Sequence, residues 1–85
     1  MTGYRIEYKQ TMEERFDTDM NERARALIDT FGERIAYHGE SGGTNLSTAE
    51  SEQTFYIACD EVAAGEIVAL LSAELGRDVK AVPSE

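Results

Sequence analysis

The chain opens with a strict alternation of apolar and charged positions. In the stretch YRIEYK, the apolar residues Tyr4, Ile6 and Tyr8 alternate with three charged residues. A period of two with aromatic and β-branched residues on one side is typical of a half-buried strand. The sequence therefore predicts that the domain begins with a strand packed on one face.

A helix is predicted next, because the apolar positions from Met20 to Phe31 recur at intervals of 4, 3, 1 and 3 residues. Gly32 follows, where a left-handed residue commonly ends a helix. The start of this helix is left open by two capping-box spacings. One is Asp19 with Glu22, and the other is Thr11 with Glu14, which would start the helix near residue 12.

Two further strands are predicted on either side of a polar, glycine-rich segment. In RIAYH, Ile35 and Tyr37 point inward, and in QTFYIAC, Phe55, Ile57 and Cys59 do so. Residues 38–50, HGESGGTNLSTAE, lie between them. Because they connect two antiparallel strands, we expect a hairpin loop of about eleven residues, and hairpin loops of this length are often functional or mobile.

A second helix and a closing strand complete the pattern. Asp60 suits an N-cap, the run EVAAGEIVALLSAEL has a broad apolar face, and Gly76 marks its end. Gly65 within this helix suggests close packing against the sheet. The stretch DVKAV reads as a short strand, and Pro83 stops it, which suits a sheet edge.

The order of elements is strand, helix, strand, strand, helix, strand. This order predicts an α+β fold of the ferredoxin-like split βαβ kind (βαββαβ), with a four-stranded antiparallel sheet and two helices on one face. An 85-residue chain can bury one core, so residues 1–85 are expected to form a single domain.

Charge and composition exclude several classes of function. Seventeen acidic residues oppose eight basic ones, giving a net charge of −9, so no concentrated positive surface is expected for nucleic acid. The first residues lack a signal pattern and no apolar run could cross a membrane, which predicts a cytoplasmic protein. A single cysteine, Cys59, allows no internal disulfide.

Candidate catalytic and ligand motifs all fail in part. GESGG lacks the Gly-Lys-Ser/Thr end of a phosphate-binding loop. The DTDMN stretch begins like a calcium loop, but Glu22 and Ile28 occupy the positions that need Gly and a bidentate Glu. With residue 38 expected to pair near residue 54, His38 and Cys59 would lie roughly 17 Å apart. We therefore expect no enzyme, cofactor or metal site.

Acidic residues are expected to converge at one end of the sheet, where the first strand ends, the first helix begins and the hairpin loop lies. We name this set the acidic rim. Its members are Glu13, Glu14, Asp17, Asp19, Glu22, Glu40, Glu50 and Glu52.

The sheet face without helices is expected to be basic, with only Glu7 opposing its cations. This set is named the sheet-face residues, and it comprises Arg5, Lys9, Arg34, His38, Tyr56 and Lys80. Such a face could serve as a homodimer interface or as a platform for an anion. It could also be an ordinary solvated surface.

Two functional hypotheses follow from this charge layout. The first is a non-enzymatic inhibitor or adaptor whose acidic rim binds a basic surface on another protein. A nucleic-acid-binding protein is one class of partner that has such a surface. The alternative is a regulatory or sensor domain that binds a small molecule on the open sheet face or at a dimer interface. The acidity can also reflect solubility or adaptation to high salt.

Overall fold

The computed structural model describes residues 2–16 and 19–84, which form an α+β fold with one four-stranded antiparallel sheet and three α-helices. The elements in chain order are β1 (Thr2–Thr11), α1 (Met12–Phe16), α2 (Asp19–Asp29), a 3-10 helix (Gly32–Arg34), β2 (Ala36–Asn45), β3 (Glu50–Cys59), α3 (Glu61–Leu75) and β4 (Val79–Pro83).

The sheet has the strand order β2-β3-β1-β4, and every neighbouring pair is antiparallel. β1 is central, with Ile6 opposite Phe55 of β3 on one side and Ala81 of β4 on the other. The predicted alternation of β1 is confirmed, because Ile6 and Tyr8 are buried while Arg5 and Lys9 are exposed. β2 and β4 are the two edge strands of the sheet.

A single apolar core joins the sheet to α2 and α3. Its largest fully buried apolar side chains are Phe55, Ile6, Ile28, Ile57, Ile67 and Leu71. They come from β1, β3, α2 and α3, and α2 also packs against α3. The helices therefore cover the inward face of the sheet, while the face that carries Arg5 and Tyr56 remains open.

A helix begins at each of the two starts that the spacing of capping residues suggests. Two successive helices, α1 and α2, replace the single expected one. At α1, the Glu14 backbone N–H donates to Thr11 Oγ1 at 3.2 Å, and the Thr11 N–H donates to Glu14 Oε1 at 2.8 Å. This reciprocal pair is a capping box. At α3, Asp60 accepts from the Ala63 N–H at 2.6 Å, and Gly76 ends the helix with φ +64°.

The expected long hairpin loop is wrong. β2 continues to Asn45, which lies opposite Glu50, so the connection is only the turn at residues 46–49. Residues 40–50 are exposed on both sides, so their side chains lack the alternation by which a half-buried strand is recognised. A register shift between Tyr37 and Gly39 also places His38 near Tyr56, and the expected pairing of residue 38 with residue 54 is wrong.

Two further local expectations are wrong. Arg34 belongs to the 3-10 helix before β2, and its guanidinium pairs with Glu66 of α3 and lies 5.5 Å from the ring centre of Phe31. It is therefore directed toward the helices and is absent from the open sheet face. Gly65 does not pack closely on the sheet, because it is exposed and an added Cβ would meet nothing within 4 Å.

Candidate acidic docking surface

The acidic rim is built where β1 ends and the first two helices begin. α1 follows β1 directly, and the start of α2 is held beside β1 by polar contacts. Tyr8 Oη donates to Asn21 Oδ1 at 2.5 Å, and Gln10 Nε2 donates to the same oxygen at 3.0 Å. Thr11 lies opposite Glu50, the first residue of β3. Acids from α1, α2 and β3 thus share this end of the sheet.

Glu14 is held in place by Arg77, which lies in the connection between α3 and β4. The guanidinium Nη2 and Nη1 lie 2.5 and 3.0 Å from the two Glu14 carboxylate oxygens, and Nη1 also donates to the Lys9 carbonyl at 2.7 Å. The hydrogen bonds from Arg77 and from the Thr11 backbone lower the pKa of Glu14 to about 2. Glu14 therefore stabilises the fold and is neutralised within the chain.

Glu40 is also neutralised, and it lies on the helix side of β2. Arg25 of α2 donates to its two carboxylate oxygens at 2.8 and 2.5 Å, and the Tyr37 hydroxyl donates at 2.8 Å. The Arg25 hydrogen bonds hold the pKa of Glu40 below its usual range. Opposite Phe55 in the ladder, Glu40 shares the inward face, whereas Glu50 and Glu52 lie on the open face.

Three rim acids remain without an ion pair in the part of the chain that the structure describes. Glu13 and Glu50 are exposed on α1 and β3, and Glu22 is exposed in the first turn of α2. Asp19, the first residue of α2, is exposed beside them. Glu52 lies opposite Lys9, and Asp17 falls outside the described residues. The structure thus brings together the larger part of the acidic rim. Two of its members, Glu14 and Glu40, form ion pairs with arginines of the same chain.

The open sheet face carries charges of both signs. Arg5 lies 3.4 Å from Glu7, while Lys80 lies opposite Glu7 and Lys9 opposite Glu52. The expectation that Glu7 alone opposes the cations is wrong, because the β1–β3 register also places Glu50 and Glu52 on this face.

The other sheet-face residues are dispersed. Tyr56 Oη lies 3.0 Å from Ser41 Oγ, and His38 is exposed at the β2 irregularity. Two shallow hollows of about 370 and 400 Å³ meet at Lys9 and Glu52, and each is lined by acids as well as by cations. A purely basic platform is therefore absent from the described part of this face.

A second group of acids lies at the opposite end of the sheet. Asp29 and Glu33 are at the end of α2 and in the 3-10 helix, and Asp60 and Glu61 begin α3. The acidic surface is therefore not confined to the rim. In the sequence, this group is visible as acids beside the predicted helix ends, and it is smaller than the acidic rim.

Cys59 is fully buried on the inward face of β3. Burial raises the pKa of its thiol, and the neighbouring Asp60 raises it further. His38 lies at the register shift beside Tyr56 and Ile57, so the expected separation of roughly 17 Å from Cys59, which assumed pairing with residue 54, is wrong. Within residues 2–16 and 19–84, no group of three or more His, Cys, Asp or Glu side chains is placed to hold a metal ion.

No helix in the described ranges is long and apolar enough to cross a membrane. No family model matches the chain, and neither a curated protein nor a solved structure matches it.

Proposed function

We propose that this chain adopts the ferredoxin-like version of the α+β class. The order β2-β3-β1-β4 puts the first strand between the third and the fourth, and helices separate β1 from β2 and β3 from β4. That arrangement supports the split βαβ plan, with α1 as a short addition before α2. The plan serves many unrelated functions, so the function has to be argued from the surface.

We propose that the protein is a non-enzymatic inhibitor or adaptor whose acidic rim binds a basic surface on another protein. One observation carries this proposal. Every arginine whose side chain the structure describes is paired with a glutamate of the same chain. The pairs are Arg5–Glu7, Arg23–Glu74, Arg25–Glu40, Arg34–Glu66 and Arg77–Glu14.

These ion pairs divide the acids into those that contact an arginine of the same chain and those that can contact a partner. The paired glutamates have guanidinium partners, whereas Glu13, Glu22 and Glu50 are exposed at one end of the molecule and belong to none of the described ion pairs. Clustered charge of one sign attracts an oppositely charged surface and speeds encounter with it. A basic protein surface in the cytoplasm is the partner that matches this end, and direct binding of nucleic acid is opposed by the net charge of −9.

The second candidate is a small anionic ligand on the open sheet face. The hollow of about 370 Å³ favours it, because Lys9, Lys80 and Arg77 line this space. Glu7, Glu52 and Asp78 line the same hollow, and Arg77 is already bound to Glu14. The compensating acids make this the weaker candidate.

Affinity capture with matched charge reversals tests the leading proposal. The rim variant is Glu13→Lys with Glu50→Lys, and its control is Asp29→Lys with Glu33→Lys at the opposite end. All four residues are exposed and lie outside the described ion pairs. Each variant replaces two acids with two lysines, so both variants change the net charge equally. We expect wild type and the control to retain a basic protein that the rim variant loses. Equal retention by all three baits would refute docking through the rim.

A thermal-shift screen with anionic metabolites separates the second candidate from the first. Stabilisation by a metabolite that disappears in Lys9→Ala and Lys80→Ala would favour the sheet face. The rim variant should respond to such a ligand as wild type does, because neither Glu13 nor Glu50 lines the hollow of about 370 Å³ that contains both Lys9 and Lys80.

A further inference from the structure

The two edges of the sheet are protected very differently. β4 has five residues and includes Lys80 and Pro83, and both a charge and a proline discourage pairing with another strand. β2 has ten residues, Ala36–Asn45, with no proline, and no described element pairs with its outer side. A long edge with free N–H and C=O groups is a template for an added strand. The accessible edge is therefore β2.

The orientation of the β2 backbone follows from one hydrogen bond. Ser51 Oγ donates to the Gly43 carbonyl at 2.9 Å, so this carbonyl is directed toward β3. Backbone groups alternate in direction along a strand of an antiparallel ladder. The N–H and C=O groups of Gly42 and Thr44, and of Glu40 before them, are consequently directed away from the sheet, where a new strand can reach them.

The edge is neutral in an otherwise acidic protein. Residues 41–49, SGGTNLSTA, carry no charged side chain, and all of them are exposed. The adjacent Glu40 is neutralised by Arg25. At the turn, Leu46 is 84% exposed. This stretch offers no charge complementarity to a basic segment, but it also offers no repulsion to a strand identical to itself.

We propose that β2 pairs antiparallel with β2 of a second copy of this chain, which joins the two sheets edge to edge. With Gly42 opposite Gly42, each Glu40 lies opposite Thr44 of the other copy, and no like charges face each other across the new ladder. Outward-directed backbone groups then meet outward-directed groups, as antiparallel pairing requires. The pairing is isologous, which is the symmetry of most homodimers.

The same arrangement separates the charged surfaces. Because the hairpin turn lies at the rim end of β2, antiparallel pairing directs the two acidic rims to opposite ends of the joined sheet. Two copies of charge −9 still repel each other at long range. Salt screens this repulsion, so self-association should tighten as salt is added, whereas binding to a basic partner should weaken. The inference is independent of the proposed function.

Sedimentation equilibrium of the full chain, from about 10 μM to about 1 mM, tests the pairing. Wild type should dimerise, and more tightly at high salt. Thr44→Pro removes the outward N–H and should weaken the dimer about tenfold or more, since one hydrogen bond is lost on each side of the two-fold axis. Thr44→Val keeps the N–H and should dimerise as wild type does. Circular dichroism establishes that each variant is folded.

A second pair of variants keeps the test decisive if Thr44→Pro does not fold. Gly42→Glu and Gly42→Lys each place like charges opposite each other at the two-fold axis, so each alone should dimerise less than wild type. An equimolar mixture should recover a heterodimer. A monomeric wild type at about 1 mM, or a dimer unaffected by changes at both Thr44 and Gly42, would overturn the proposal. The second result would move the interface to another surface, such as the open sheet face.

Discussion

The exposed glycine inside α3 gives the sharpest test of the helix geometry. Glycine within a helix costs about 0.5 to 1 kcal/mol relative to alanine, because its unfolded backbone has more freedom to lose. Gly65 has no positive φ, and a Cβ added there meets nothing within 4 Å. Gly65→Ala therefore gains the full helix preference with no steric penalty, and we expect a stabilisation of about 0.5 to 1 kcal/mol.

Gly76 is the matched control, because an added Cβ there also meets nothing within 4 Å. It differs in its backbone, since φ is +64° at the end of α3. A left-handed conformation costs a residue with a Cβ about 1 to 2 kcal/mol. After the gain from restricting the unfolded chain, Gly76→Ala should destabilise the protein by about 1 kcal/mol.

Urea unfolding and thermal melts followed by circular dichroism measure both changes. For a domain of this size, 1 kcal/mol corresponds to about 4 to 8 °C in Tm. Gly65→Ala should thus melt about 2 to 8 °C higher and Gly76→Ala lower than wild type. If Gly65→Ala left the melting temperature unchanged or lowered it, another group would have to cover this side of α3. The inference from the exposure of Gly65 would then be wrong.

Three other predictions concern the core, the thiol and an ion pair. Leu71→Ala should cost about 2 to 5 kcal/mol in urea unfolding because Leu71 is fully buried, and the half-buried Leu27→Ala should cost less. Cys59 should react with a thiol reagent only after unfolding; rapid labelling of native protein would contradict its burial. The lowered pKa of Glu14 stabilises the fold above about pH 4.5, and this stability is lost as pH falls toward about 2. Glu14→Gln should therefore lose less stability than wild type between pH 5 and pH 3, as measured by the urea midpoint, and an unchanged loss would contradict the role of Arg77.

The parts of the fold that follow from the sequence are those where burial imposes a period. Ile6 and Tyr8 on β1, and Phe55 and Ile57 on β3, alternate because one face of the sheet is packed and the other is open. The ends of α3 were predictable because an N-cap needs a side-chain acceptor and a left-handed end favours glycine. Local chemistry at these positions allows few alternatives.

The distal half of the β2–β3 hairpin could not be predicted in the same way. Its inward face is polar: Ser51 and Gln53 of β3 are buried there next to Gln10 of β1, without an apolar alternation to mark the strands. Most residues of β2 beyond the register shift are exposed on both faces. Backbone pairing and a few polar contacts, such as that of Ser51 Oγ with the Gly43 carbonyl, extend these strands, and neither leaves a hydrophobic pattern in the sequence.

The charge layout was only partly predictable, because ion pairs join residues that are distant in sequence. Arg77 lies 63 residues after Glu14, and Arg25 reaches Glu40 across the gap between α2 and β2. Nothing in the local sequence identifies such partners. The convergence of Glu13 and Glu50 at one end follows from the order of the elements, whereas the neutralisation of other rim acids becomes visible only in three dimensions.

The most direct test of rim docking is the affinity of the captured basic protein, measured by calorimetry at several salt concentrations. Wild type and the Asp29→Lys, Glu33→Lys control should bind with closely similar Kd values that rise with salt. The Glu13→Lys, Glu50→Lys variant should bind at least about tenfold more weakly at low salt, with a smaller salt dependence. Equal weakening by both charge reversals would show that net charge alone governs binding. Equal affinity of all three proteins would show that the acidic rim is not the docking surface.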